Sequence, residues 1–565
     1  MKKLRWPLLI VFLALIIIGV LLLSQQPKVL QSPEVKTPTV VVPTKGGVYT
    51  EALVGSLSRL NPLLDITNPV DRDVDCLLFS GLVRYDDRGV PQGDLSASWG
   101  ISIDGLIYNF AIRQEAVWHD GQPVTSDDVI FTLELMRSED SLISSDLRNF
   151  WQQVEIQRLD EKAVQFRLPE PFAPFLDYLT FGILPEHLLG DLTLADLIDA
   201  KFNLQPVGTG PYRLDHLITE DGKITGVSLK AFNQYYSTKP FIEELAFRYY
   251  PSAQEALAAY QKAEVMGIGQ VTANILPGVL KDPQLGVYTS RLPQLTLVLL
   301  NLNQPSAPFF QDVNVRLALM MGLNRQQIID RLFNGQAIIA DGPIFPGSWA
   351  SYDGTERIEY NPQEAIDLLR AAGYTIPANG GSVRAKEGNP LEFELLYPDD
   401  EQHADLAETI QQDWAQLGVS VILRAVAYDE LVNDYLSPRQ YQAALVDLNL
   451  ARSPDPDPYP FWHQEQATGG QNYSQWNDRQ ASEYLEQARI TTDITERARL
   501  YRNFQVRFAQ ELPALPLYYP VYTYAVSTEV QGVRIGSLFD TSNRFDTITS
   551  WFLLTKLGSG QTATP

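Results

Sequence analysis

Apolar positions change their spacing along this chain, and each change predicts an element. Behind Lys2, Lys3 and Arg5, an unbroken apolar run extends from Leu8 to Leu23. Further on, Trp118-His119-Asp120-Gly121-Gln122-Pro123-Val124-Thr125 reads as a strand and a tight turn at Asp120-Gly121, with Pro123 delaying helix until Thr125. Thr125 is then an N-cap and Asp128 completes a capping box, ahead of the helical stripe Val129, Leu133, Met136. A second, proline-broken helical stretch follows from Pro174 to Asp199, and a strand from Tyr212 to Leu217. Leu295 to Asn301 is a continuous apolar strand, followed by helices over Asp312–Met321 and Asn324–Phe333, the latter stopped by Asn334-Gly335. Asn361-Pro362 starts another, with Ala365, Leu368, Leu369 and Ala372 on one face and Gly373 at its end.

The clearest pattern lies between 391 and 447. Strand Leu391–Tyr397, helix Gln402–Leu417, strand Val419–Val426, helix Asp429–Leu436 and strand Tyr441–Asp447 alternate as β-α-β-α-β. That order predicts a doubly wound parallel sheet with right-handed crossovers, and a ligand crevice beyond the carboxyl ends of its strands. The segment Arg452 to Trp462 is too rich in proline for helix or central strand, so it leaves the crevice edge as a rigid loop. Helices over Asp478–Arg489 and Thr495–Gln510 and a strand over Leu515–Val526 complete the pattern.

Several strings carry more than local structure. These are Trp118 to Val129, Arg59-Leu60-Asn61-Pro62-Leu63, Leu78-Phe79-Ser80-Gly81-Leu82, Gly208-Thr209-Gly210-Pro211-Tyr212, Asn314-Val315-Arg316-Leu317-Ala318 and Leu512-Pro513-Ala514-Leu515-Pro516-Leu517-Tyr518. Together they resemble the family 5 extracellular solute-binding proteins, the dipeptide- and oligopeptide-binding components of ABC importers. The resemblance implies an α/β, two-lobed periplasmic-binding-protein-like fold with a hinge of two crossing segments, the second lobe holding the doubly wound sheet. It also implies a peptide ligand, ABC permease and ATPase partners, and no covalent chemistry.

The expected organisation is an N-terminal signal or transmembrane anchor over 1–23, a Pro/Thr-rich linker over 24–44 and a first lobe over 45–291. A second lobe over 292–514, a return to the first lobe over 515–555 and a disordered tail over 556–565 complete it. A membrane span needs about 20 apolar residues, or roughly 17 at the lower limit. Residues 8–23 reach that margin with Trp6 and Pro7. Ser24-Gln25-Gln26-Pro27 offers neither a small-x-small cleavage site nor a lipid-accepting cysteine, which favours an uncleaved anchor with the body outside the cytoplasmic membrane.

Composition narrows the function. A chain of 565 residues exceeds one hydrophobic core, and its net charge of −24 argues against nucleic acid, which demands basic clusters. The lone Cys76, beside Leu77-Leu78-Phe79, cannot form an internal disulfide and is expected as a buried thiol. His119, His187, His216, His403 and His463 show no zinc spacing, and neither a nucleophile elbow nor a phosphate loop is present, so no cofactor and no metal are expected.

The resemblance also points to ligand contacts. In peptide-binding relatives, an aspartate three positions before an Asp-Pro or Glu-Pro pair holds the ligand's amino terminus. Asp457-Pro458 matches the pair, but Pro454 occupies the anchoring position and Asp455 sits one residue closer. Candidate ligand-binding residues are therefore Asp455 and Asp457, the strand-end residues Asn301, Tyr397, Asp399 and Asp447, and the loop aromatics Trp349, Trp462 and Tyr473. Alternatives are a non-peptide ligand such as an oligosaccharide or metal chelate, or a surface hydrolase using Asp455 and Asp457 as acid and base. A monomer is expected.

Overall fold

The computed structural model describes residues 43–554 apart from 140–142, 144 and 379. The expected anchor, nearly all of the linker and the tail lie outside the described residues. Among those described, no helix is long and apolar enough to cross a membrane.

The chain opens with β1 (Val48–Val54) and α1 (Pro69–Leu78), the latter capped by the Asn68 side chain with proline in its first turn. Sequence reading missed α1, because the charged residues Asp71, Arg72, Asp73 and Asp75 leave only the narrow apolar stripe Val70, Val74, Leu77 and Leu78. A four-stranded antiparallel sheet follows from β2 (Ser96–Ile101), β3 (Ile107–Ile112), β4 (Glu155–Asp160) and β5 (Ala163–Arg167), in the order β2-β3-β5-β4. Between β3 and β4 lies α1's successor α2 (Ser126–Arg137), which carries the expected Thr125/Asp128 capping box. The proline-broken stretch after β5 is a series of short turns of helix, the first over Ala173–Leu179.

The main sheet of the first lobe is completed by β6 (Tyr212–Glu220), β7 (Lys223–Ala231), β8 (Glu244–Tyr250), β9 (Gly267–Ile268) and β10 (Leu285–Arg291). In it β1 runs parallel to both β8 and β9. The chain crosses into the second lobe at Leu292-Pro293 and continues as β11 (Gln294–Leu300). There α3 (Val313–Met321), α4 (Arg325–Leu332), α5 (Pro362–Ala371), β12 (Glu392–Pro398), α6 (Glu401–Gln416), β13 (Ser420–Val426) and β14 (Ala443–Asn449) follow nearly as expected. The helix anticipated over 429–436 begins as α-helix at Tyr428 and continues as a π-helix over Leu431–Leu436. Finally α7 (Arg479–Ile490) and α8 (Ile494–Glu511) lead into β15 (Ala514–Ser527).

β12 is parallel to β13 and β14, and the sheet then continues through antiparallel β11 and β15. Apolar side chains from α3, α5 and α6 pack on one face, and those from α7 and α8 on the other. This two-faced burial explains strands such as β14, in which alternation of apolar and polar positions is almost absent.

β15 belongs to both lobes. Its first residues pair with β11, and Val521 to Ser527 pair with β10. At the crossing, the Leu292 N–H donates to the Pro520 carbonyl at 2.8 Å. The hinge thus consists of two hydrogen-bonded segments, as the resemblance implied.

Two of the sequence strings interlock in the first lobe. The His119 imidazole accepts the Gly208 N–H on Nδ1 and meets the Gly210 carbonyl through Nε2, each at 3.1 Å. Burial pushes its pKa down to about 4, consistent with a neutral ring serving both contacts. Gly208 and Gly210 press against the end of α1, where a Cβ on Gly208 would lie 1.9 Å from the Leu78 oxygen.

Cys76 corrects an expectation. It is exposed, because α1 turns Leu77 and Leu78 into the core and leaves position 76 on the adjoining face.

Candidate functional site

Both lobes present the carboxyl ends of their parallel strands to the same region. β1 ends into the loop that leads to α1, and β14 ends into the proline-rich loop after Asn449. The side chains meeting there decide what the crevice can do.

Asp455 and Asp457 are each committed to an arginine. Asp455, 7% exposed, accepts from Arg497 Nη2 at 2.8 Å, and the Arg497 guanidinium also stacks over Trp349 with 5.0 Å to the ring centroid. Asp457 accepts from Arg489 at 2.7 Å, and that guanidinium lies 4.0 Å above the Tyr459 ring. The carboxylates are therefore positioned as ion-pair partners, and a hydrolytic acid and base facing an open substrate is not what this loop presents. Sequence reading missed both arginines, since neighbours on helices α7 and α8 are distant along the chain.

The Asp455 loop also touches the first lobe. Its backbone N–H donates to Asp177 Oδ2 at 3.0 Å, while the Tyr85 hydroxyl binds the other Asp177 oxygen. Burial, and then the charge of Asp455, push the Asp177 carboxyl well above the ordinary range. Tyr85, Tyr108, Leu176, Trp349, Asp455 and Arg497 surround a small cavity of about 50 Å³ here. That is room for water, not for a ligand.

Arg452 makes the second bridge. Its guanidinium reaches Asp65 at 2.9 Å and Asp540 at 3.5 Å, both in the first lobe, and its N–H donates to the Phe539 carbonyl at 2.7 Å. Burial raises the pKa of Asp65 even though Arg452 draws it down. A third group lies at the ends of β12 and β14. Asp447 bonds the Thr296 hydroxyl and sits 3.3 Å from His403, whose other nitrogen is 2.7 Å from Asp400. Burial opposes the charged ring, but Asp447 and Asp400 prevail and raise its pKa.

The remaining candidates divide between the crevice and the body of the lobe. Asp399 is exposed and Tyr397 half-buried at the end of β12, beside the His403 cluster. Asn301 corrects an expectation: it lies at the opposite end of the sheet, fully buried, with Nδ2 donating to the Arg439 and Tyr441 carbonyls at 3.0 Å. β11 runs antiparallel to β14, so its last residues point away from the crevice. Tyr473 is near that same end, its ring under Arg439 with 4.8 Å to the centroid. Trp462 is likewise a correction, being 2% exposed and packed edge-on against Phe508. No group of metal-binding side chains occurs among the described residues.

A sequence model of the bacterial extracellular solute-binding proteins, family 5 middle region, matches residues 90–471. The oligopeptide-binding protein AppA of Bacillus subtilis strain 168 is 25% identical over 518 residues, covering 90% of this chain and 92% of the relative. The dipeptide-binding protein of Escherichia coli strain K12 is 26% identical over 507 residues, covering 86% of this chain and 91% of its own length. The structure of B. subtilis AppA in complex with a nonapeptide superposes with a TM-score of 0.65 at 24% identity, over 91% of this chain and all of that one. NikZ from Campylobacter jejuni, in complex with Ni(L-His), gives 0.64 at 24% identity, over 89% of this chain and 99% of that one.

Proposed function

This chain belongs to the bacterial extracellular solute-binding proteins of family 5, and on that premise we propose that it captures peptides outside the cytoplasmic membrane and hands them to an ABC importer. The observation that carries the reading is the match across residues 90–471 joined to two lobes meeting at a two-segment hinge. Ligand touching both lobes favours the conformer in which they are closed, and a permease that recognises this conformer, with its ATPase, receives the load. The peptide leaves the protein unchanged, so this is capture and not catalysis.

Residues 1–23 hold the protein to the membrane as an uncleaved anchor, and residues 24–44 space the monomeric body from the lipid. Intact-mass measurement tests this: a mature chain beginning near residue 25 would remove the anchor. Ligand contacts come from the crevice set Asp447, Asp399, Tyr397 and the loop bearing Asp455 and Asp457.

A thermal-shift screen of peptides, oligosaccharides and metal chelates tests the ligand class. A peptide at a hundredfold excess over its Kd adds about 2.7 kcal/mol of stability. Stabilisation by chelates or sugars with none by any peptide would overturn the peptide reading.

A further inference from the structure

Arg452 stands just past β14 in left-handed backbone, φ 61°, an uncommon conformation for a side-chain-bearing residue. From there it crosses to Asp65, which is 6% exposed. Beside Asp65 lies Asp75, 2% exposed, where no side-chain donor reaches the carboxyl and burial, then the charges of Asp65 and Asp71, push its pKa well up against the opposing backbone N–H of Asn61. Their acidic neighbours are already engaged. Asp71 accepts the Ser58 and Arg59 N–H groups, and Asp73 is paired with Arg544. Arg72 directs Nη1 to the Asp65 and Ile66 carbonyls and lies against Asp540.

The first lobe therefore carries a buried carboxyl pair, and the cation that reaches Asp65 is supplied by the second lobe. That cation is loosely held in one respect: 44% of the Arg452 side chain is exposed. Movement at the hinge that withdraws the Arg452 loop uncovers Asp65 and leaves it only the unbonded charge of Arg72, and a buried carboxylate that has lost its hydrogen-bonded cation is costly. A compact ammonium group entering the crevice answers the same charge with three donors.

We propose that Asp65, backed by Asp75, is the subsite for the cationic amino group of the ligand, and that Arg452 is an internal cation which occupies this subsite until the ligand displaces it. The proposal rests on the peptide-capture reading and specifies which end of the peptide meets the first lobe. It also fits the absence of an aspartate at position 454, since the anchoring carboxylate then comes from the opposite lobe.

Calorimetric titration of the full chain with a mixture of free-amine tripeptides, and with the same mixture N-acetylated, tests it. Wild-type protein is expected to bind the free-amine mixture at least tenfold more tightly. Asp65→Asn should lose that preference, and Arg452→Gln, at a half-exposed position, should bind the free-amine peptides several-fold more tightly. Discrimination that survives in Asp65→Asn, or weaker binding by Arg452→Gln, would overturn the proposal. Wild-type binding that ignores acetylation would do so while leaving peptide capture standing; binding of neither mixture would remove both.

Discussion

Asp177 and Asp455 place two carboxyl groups side by side across the junction of the lobes, joined by the Asp455 N–H donating to Asp177 Oδ2 at 3.0 Å. Arg497, bonded to Asp455, and the hydroxyl of Tyr85, bonded to Asp177, complete the contact. One arginine thus faces two buried acids.

This arrangement makes stability depend on pH with a definite sign. The folded protein holds a proton on Asp177 that an unfolded chain, with an ordinary carboxyl pKa of about 3.9, releases. The stabilisation is complete below that ordinary value and is lost as pH rises through the raised one. Urea midpoints measured from about pH 4 to pH 8 should therefore fall less steeply in Asp177→Asn than in wild type. Parallel curves would assign the dependence to other groups.

Arg497→Met leaves Asp455 buried without its cation. Loss of one partner of a buried pair costs about 3–5 kcal/mol. Equilibrium denaturation should show that loss, and adding Asp455→Asn should recover part of it.

Gly208→Ala forces a methyl group into the Leu78 carbonyl. With backbone as the obstacle the strain cannot be relieved by a rotamer change, and a loss of about 1–3 kcal/mol or more is expected. Gly121→Ala offers the contrast, since nothing lies within 4 Å of its added Cβ and only its positive φ resists. It should cost less in the same assay.

His119 contributes acid sensitivity of the opposite sign to Asp177. Its folded pKa is depressed to about 4, so an unfolded chain takes up a proton first, and stability falls as pH drops from about 6.5 towards 4. The effect reaches ~3 kcal/mol at most. His119→Gln should unfold less readily across that window relative to its own stability at pH 7, as circular dichroism melts would report.

Much of this was readable from the chain because the deciding interactions were local. The Thr125/Asp128 box, the Asn361-Pro362 start and the alternation over 391–447 involve neighbours within one or two turns, and their elements formed within a few residues of expectation. α1 was lost because Asp71, Arg72, Asp73 and Asp75 leave only a narrow apolar stripe, although Asn68-Pro69 was a sound start signal. The crevice was legible only as a region. Asp65 and Arg452 are separated by 387 positions, and Asp455 and Arg497 by 42, so no spacing rule pairs them. Aromatic residues in loops misled for a related reason: Trp462 follows a proline-rich segment, yet the packing of α8 encloses it.

The bridge between Leu292 and Pro520 has an architectural consequence. Because the chain enters and leaves the second lobe at adjoining points, that lobe is inserted into its host like a cassette with its two connectors side by side. Such a cassette can be transplanted between relatives by joining two neighbouring cut ends. A chimera built at these positions would exchange the Arg452 loop while keeping Asp65 in its own setting, so the two halves of the recognition surface can diversify separately.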